Sequence, residues 1–347
     1  MSNLSLPRTA KYILKRLAQH VAAQLGNHIR LSKEPELLIL MYHRILPQGD
    51  PRSLTEEPGM LVTPETFRLH LRLIKEYFVP IQLSQWFEEK EAGTLLNQKY
   101  CAITFDDGWL DNYEFAYPIL CDMGVPATIF AVSEMMNTNR LFWPERLTKL
   151  ICFISQQLPA AWDHPSLAWL REPPIGYEFS TALPNQDKLS DIIAKTKALT
   201  DQEIHKRLDL IEKQLQLSIL KRSPSLLGWD QIREMTASGC IEIGSHTCQH
   251  IRLSEQTPAE VLHREILFSK QQLQEQTGQK VATFCFPNGD YSPVALEKVM
   301  QTYTGAVTTQ TGWNKLSTNN YLLKRIGVHE DISQDKTAFL ARISGWM

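Results

Sequence analysis

From Tyr100 to Phe105 the chain is a short, largely apolar run with β-branched and aromatic residues, and it stops at two adjacent carboxylates, Asp106 and Asp107, followed by Gly108 and Trp109. Such a run predicts a buried strand that delivers two acids at its carboxyl end. In parallel α/β architectures ligands bind at that end, where loops vary while the sheet holds their roots. Two neighbouring Asp cannot both be ionised and desolvated without a cation or a proton between them, because each raises the other's pKa. A bound metal would remove the conflict, with one acid ligating and the other free to act as base. Asp-Asp-Gly is also ordinary turn chemistry, and taken alone the turn is the better account.

Other stretches repeat the pattern of an apolar strand with a polar tip. The stretch 36–44 is apolar from Leu37 to Met41 and ends in Tyr42, His43 and Arg44, and a lone His43 there reads as a core-edge histidine unless its strand lies beside the Asp pair. A helix is expected from the Thr63 cap and Pro64, with Phe67, Leu71 and Ile74 as its buried face. Residues 112–123 read as a helix closed by Gly124, and 126–132 as a strand, which makes a βαβ unit with parallel pairing. Over about 134–225 the pattern changes to a mainly helical insertion, with one helix opening at Trp143 and a polar helical stretch at 186–217; it is either packing bulk or a lid. A strand at 241–245 then runs into His246 and His250, a spacing that on a helical turn sets both rings on one side. Strands are expected again at 282–286, 304–309 and 322–328.

The bulk numbers favour one large unit with embellishments. A chain of 347 residues with 43% hydrophobic residues, 21% charged residues and a net charge of -2 is neither disordered nor equipped for nucleic acid. Its six Cys form no C-x-x-C pair and read as reduced, packed thiols. The amino terminus lacks a signal-peptide core and no stretch is long enough to span a bilayer, so the expected location is the cytoplasm. Residues 9–28 look like an amphipathic helix with Ile13, Leu14, Leu17, Val21 and Leu25 at helical spacing and Arg8, Lys11, Lys15 and Arg16 on other faces. Packing of that stripe on the domain body is the favoured reading, and contact with the inner face of a membrane is the sharper one. The expected division is a helical segment at 1–35 and a main domain at 36–347.

Asp107 with His246 and His250 supplies two nitrogens and one oxygen with positions left open, the pattern of a catalytic metal. His-x-x-x-His is weak evidence alone, but stronger together with the Asp-Asp-Gly strand end. At these residues the chain resembles the polysaccharide deacetylases, also called the NodB-homology or carbohydrate esterase family 4. Thr104-Phe105-Asp106-Asp107-Gly108 is similar to the family's first motif and Ser245-His246-Thr247-Cys248-Gln249-His250 to its second. The resemblance, which covers about 37–328 outside the insertion, implies an α/β fold, a distorted, incomplete (β/α)7-type barrel. It implies Asp106 as general base, Asp107, His246 and His250 as metal ligands, and Zn2+ ahead of Co2+, Ni2+ or Fe2+ as the ion.

Three features depart from the family pattern. The third motif usually opens with an Arg that orients the base, whereas the stretch Phe284 to Gly289 contains none. The Leu-x-His motif near the carboxyl end is missing at Leu323-Lys324-Arg325. The subgroup that includes biofilm exopolysaccharide deacetylases carries a Tyr-His signature at the amino terminus instead, which Tyr42-His43 resembles. That resemblance implies His43 as the general acid, with His329 second, and the backbone N–H of Asn288, after the rigid Pro287, is the expected oxyanion donor. Tyr42, Trp109, Pro287 and Gly289 are the expected substrate contacts. The implied function is removal of N-acetyl groups from an amino sugar of a polysaccharide or glycolipid precursor. An O-acetyl esterase, a small-molecule amidase or a silent carbohydrate-binding relative are the alternatives.

Overall fold

The apolar run after Pro35 forms β1 (Glu36–Tyr42) in the computed structural model, which describes residues 8–57, 59–180, 182–217 and 225–346. Leu37, Leu38, Ile39 and Leu40 are all 0% exposed, so both faces of the strand are covered and the sequence shows no polar alternation. β1 lies parallel to β2 (Lys99–Phe105), with Tyr42 opposite Phe105. The parallel ladder continues through β3 (Ala127–Ala131), β4 (Ile241–Ser245), β5 (Thr283–Cys285) and β6 (Gly305–Val307). Beyond β6, the amides of Ala306 and Thr308 donate to the carbonyls of Asn320 and Leu323, and β7 (Ile326–Gly327) returns to pair with β1. The sheet thus curls into a distorted, incomplete (β/α) barrel. It is incomplete because β7, expected over 322–328, contributes two residues to the ladder.

Strand alternation decides what faces the lumen. Leu37, Ile39, Tyr100, Ala102, Cys285 and Leu323 belong to the inner cluster, plugged by Trp86 and Phe87, whereas Leu38, Leu40, Tyr42, Cys101, Ile103 and Phe105 belong to the outer one. The same two-residue period carries Asp106 and Arg325 to the inside and Tyr42 to the outside. Space inside is tight: a Cβ on Gly244 would run into the Phe130 ring and lie 2.7 Å from Thr283 Oγ1.

On the outside, Thr63 caps α2 (Pro64–Tyr77) by accepting from the Thr66 amide, and the helix buries Phe67, His70, Leu71 and Ile74. His70 Nε2 donates to Ser333 O at 2.7 Å and Nδ1 accepts from Tyr42 Oη at 3.0 Å, an arrangement that needs a neutral ring. Burial pushes this imidazole down to about 4, against the opposing pull of the Ser333 carbonyl. Native His70 therefore binds fewer protons than the unfolded chain between pH ~6.5 and ~4, and stability is lost as pH falls through that window. The expected loss is up to about 3 kcal/mol. Urea titrations at pH 7 and 4.5 measure it, and the pH slope should flatten in His70→Gln; an unchanged slope would remove His70 from the account.

The insertion has its own core. α3 (Trp143–Gln157), α4 (Gln186–Thr196) and α5 (Asp201–Gln214) bury Trp143, Leu147, Ile151, Ile193, Ile204 and Leu208 against one another, apart from the barrel cluster. The polar stretch expected as one helix is two, because the chain turns after Lys197 and restarts at the Thr200–Glu203 capping box. Of the span 134–225, residues 181 and 218–224 lie outside the described residues, as do 1–7 of the amino-terminal segment.

α1 (Arg8–Leu25) forms as expected but with its face reversed. It packs on α6 (Lys336–Ile343) through Gln19, Ala22 and Ala23, while Ile13, Leu14, Leu17, Val21 and Leu25 stand 48–59% exposed. The favoured expectation, an apolar stripe buried on the body, is corrected. Small residues allow the close approach: a Cβ at Gly26 would meet Ser344 at 2.5 Å.

Candidate active site

Two acids leave the end of β2 and are treated in opposite ways. Asp106 is gripped by Arg325, whose Nη1 donates to Oδ1 at 2.7 Å and whose Nη2 donates to Oδ2 at 2.8 Å. The guanidinium's remaining donors go to Thr308 O (2.9 Å), Thr104 Oγ1 (3.1 Å) and Cys285 Sγ (3.1 Å), and its side chain is 0% exposed. Burial pushes the Asp106 carboxyl up, but the charge and hydrogen bonds of Arg325, with His246 and His43 adding, hold it well below the usual range. Arg325 is therefore the cation whose absence from the third motif was noted above. The available signal was a lone arginine inside the last apolar strand, a position that requires an acidic partner.

Asp107 has no such partner, and burial raises its pKa against the pull of His43 and His246. Its Oδ1 lies 3.5 Å from His246 Nε2 and 3.3 Å from His250 Nε2, while its Oδ2 accepts from Trp109 Nε1 at 2.9 Å. Two donors each about 2.0 Å from one tetrahedral ion sit about 3.3 Å apart, so the spacing suits a zinc-like cation. His246 Nδ1 is spent on Cys285 O at 2.8 Å, which leaves Nε2 as the ligating nitrogen. Burial, with the neighbouring ring adding for His246, pushes both imidazoles down to about 4, so both are neutral and able to ligate. Asp106, His246 and Cys285 form a second close group. It is a poorer donor set: Arg325 occupies both Asp106 and Cys285, and burial pushes the Cys285 thiol up.

The two histidines do not sit on a helical turn as expected. Thr247 and His250 are left-handed, with φ of 68° and 60°, and Glu265 pins the turn by accepting from the amides of Cys248 (2.8 Å) and Gln249 (2.9 Å). Asp107 (φ 74°) and Asn288 (φ 54°) are also left-handed, so non-glycine strain gathers at this site. His43 comes in from β1 with Nε2 3.9 Å from Asp106 Oδ2 and 19% of its side chain exposed. His329 instead approaches Asp331, at 3.6 Å, and among the described residues makes no bond to either acid. The Asn288 N–H has no hydrogen-bond partner among the described residues, and its side-chain Oδ1 accepts from Lys197 Nζ of the insertion at 3.2 Å.

Three expected substrate contacts are corrected. Tyr42 is 0% exposed with its hydroxyl bonded to His70, because the alternation that turns His43 inward turns its neighbour away. Trp109 is 2% exposed and holds Asp107, with the Arg44 guanidinium 4.3 Å from its ring. Pro287 is buried at the start of the turn that carries Asn288, which leaves it little surface to offer a substrate. Gly289 is partly exposed at φ 76°, where a Cβ would collide with Thr309 Oγ1. Beneath Trp109, Arg44 donates to Asp111 at 2.9 Å and pairs with Glu56, whose carboxyl burial pushes up to about 7 against the pull of Arg44. Nothing in the sequence pointed to this charge cluster.

A cleft of about 1570 Å³ lies where the insertion meets the barrel, bordered by Arg140, Lys197 and His205 on one side and Gln249, Arg252 and Asp290 on the other. It flanks His250 and does not include Asp106, Asp107 or His43, so it extends the site sideways. Arg252 fastens its two walls by binding Asp201 Oδ1 at 3.0 Å.

The chain is similar to known proteins in sequence and in fold. YxkH of Bacillus subtilis (strain 168), classed with the polysaccharide deacetylases, is 30% identical over 128 residues, which are 35% of this chain and 41% of that protein. The match thus spans about two fifths of this curated relative's length. Among solved structures, the Streptococcus pyogenes deacetylase PplD in complex with acetate superposes with a TM-score of 0.57 at 19% identity, covering 89% of this chain and 98% of that one. IcaB from Ammonifex degensii gives 0.54 at 17% identity, covering 89% and 100%. Both show the same fold. The profile of the family described as polysaccharide deacetylase matches residues 95–304, more than half of the sequence, and the chain belongs to that family.

Proposed function

We propose that the protein is a metal-dependent hydrolase that removes N-acetyl groups from an acetylated amino sugar of a polysaccharide or glycolipid precursor. The observation that carries this reading is the pair Asp106 and Asp107: one acid fixed and kept ionised by Arg325, the other facing two neutral imidazoles. Asp107, His246 and His250 would hold the ion. The chemistry supplied by a divalent cation at that place is polarisation of a carbonyl and acidification of water.

The chain's own groups do the rest. Asp106 takes the proton of the attacking water as the new C–O bond forms. The Asn288 N–H donates to the carbonyl oxygen as it gains charge. His43 gives a proton to the nitrogen as the C–N bond breaks, so acetate and a primary amine leave. An amide needs that acid, because an unprotonated amine is a poor leaving group. The polar cleft beside His250 suits a hydroxyl-rich substrate longer than one ring.

Protein loaded with zinc should release acetate from N-acetylglucosamine oligomers, stop on chelation and recover on re-addition. His246→Ala should bind zinc more than about 100-fold more weakly, since losing an outer-shell partner alone costs ~10–100-fold. Isothermal titration with zinc reads this directly. Release from O-acetylated sugars alone would move the reading to an esterase, and no release from either with zinc bound would overturn it.

A further inference from the structure

We infer that the outward stripe of α1 is a docking surface for an anionic lipid bilayer, on which the protein sits with this helix in the interfacial plane. The inference is independent of what the active site hydrolyses. Ile13, Leu14, Leu17, Val21 and Leu25 form one exposed stripe, continued by Ile29 (46%) and Leu31 (98%). Among the described residues nothing covers it.

Tertiary structure holds the stripe outward. The opposite side of the helix is fixed on α6 by Ala22 and Ala23, by the Arg16–Asp335 pair at 3.1 Å, and by the Asn27 amide donating to Ser344 O at 2.8 Å. Rolling the helix to bury its leucines would break all of these. At its carboxyl end, Trp346 is 46% exposed with the Arg30 guanidinium 5.1 Å from its ring, an aromatic and a cation side by side as at a membrane interface.

Charge selects the occupant. The first 33 residues contain six Lys or Arg and no Asp or Glu, although the whole chain has a net charge of -2. Lys15, Arg30 and Lys33 are exposed around the stripe, and the nearest acids in sequence, Glu34 and Glu36, are partly buried. Two copies meeting through this helix would set cationic segments against each other. An anionic bilayer matches both features, since apolar area and a basic rim together give binding that neither gives alone. Among the described residues no helix is long and apolar enough to cross a membrane, so the contact is with the surface.

Flotation of the full chain with vesicles of phosphatidylcholine and phosphatidylglycerol, against phosphatidylcholine alone, tests the inference. Wild type should float with the anionic vesicles and be released as salt is raised. Leu17→Glu combined with Val21→Glu should weaken binding at least ~10-fold while melting temperature and acetate release from a soluble substrate stay unchanged. The milder Leu17→Gln should fall between, and Leu96→Glu, at an exposed leucine elsewhere, should bind like wild type. No flotation of wild type, or equal flotation of a folded double variant, would overturn the inference. So would a stable dimer in light scattering that the double variant breaks.

Discussion

Asp106→Asn should abolish turnover while leaving zinc affinity near the wild-type value. General-base assistance is worth roughly 10²–10⁴-fold, and the amide cannot accept a proton from water. The ion would not be lost, because Asp107, His246 and His250 remain and Asp106 spends both oxygens on Arg325. Removing one member of a buried pair should also lower stability by about 3–5 kcal/mol, because the other charge stays buried. Three measurements separate these effects: acetate release, zinc content of the purified variant and the urea midpoint. A wild-type rate in a zinc-loaded variant would remove Asp106 from its role.

The second large effect is expected at Arg325. In Arg325→Met, Asp106 keeps its burial but loses the charge that outweighs it, so its pKa should rise from below the carboxylate range to above it. The sign follows. In the wild type, the depressed Asp106 contributes stability above its unfolded pKa of about 3.9, and this is lost as pH falls through the lower folded value. In the variant the carboxyl is protonated at higher pH, so the acid limb of kcat/KM should move up and the rate near neutrality should drop by ~10²-fold or more. Raising the pH should recover part of it. Arg325→Lys should recover less than its charge suggests, since an ammonium cannot make the fork to both oxygens. A lowered rate with an unmoved pH profile would show that Arg325 serves only packing.

Arg325 also marks where sequence reading stopped. The Asp pair and the His pair were legible because strand ends and short spacings are local, and the structure brings Asp107, His246 and His250 within 4.8 Å. The orienting cation is a tertiary fact: it lies 219 residues from Asp106, just before β7, and nothing local in the sequence says which acid it meets. Tyr42 and Trp109 misled for a different reason. Proximity in sequence to His43 and Asp107 suggested the mouth of the site, while strand alternation and the bond from Trp109 to Asp107 place both rings inside the protein. For α1 the apolar spacing was visible, but not which side would meet the body, because its contacts with α6 use alanines and a glycine.

The grip on Asp106 sets an order of events in synthesis. A nascent polypeptide that has emerged only as far as Gly305 already carries the acids and the imidazoles, yet lacks the guanidinium that grips Asp106 in the folded protein. Contacts of such long loop closure are also slow to form. Hydrolytic competence therefore waits for the segment that carries Arg325.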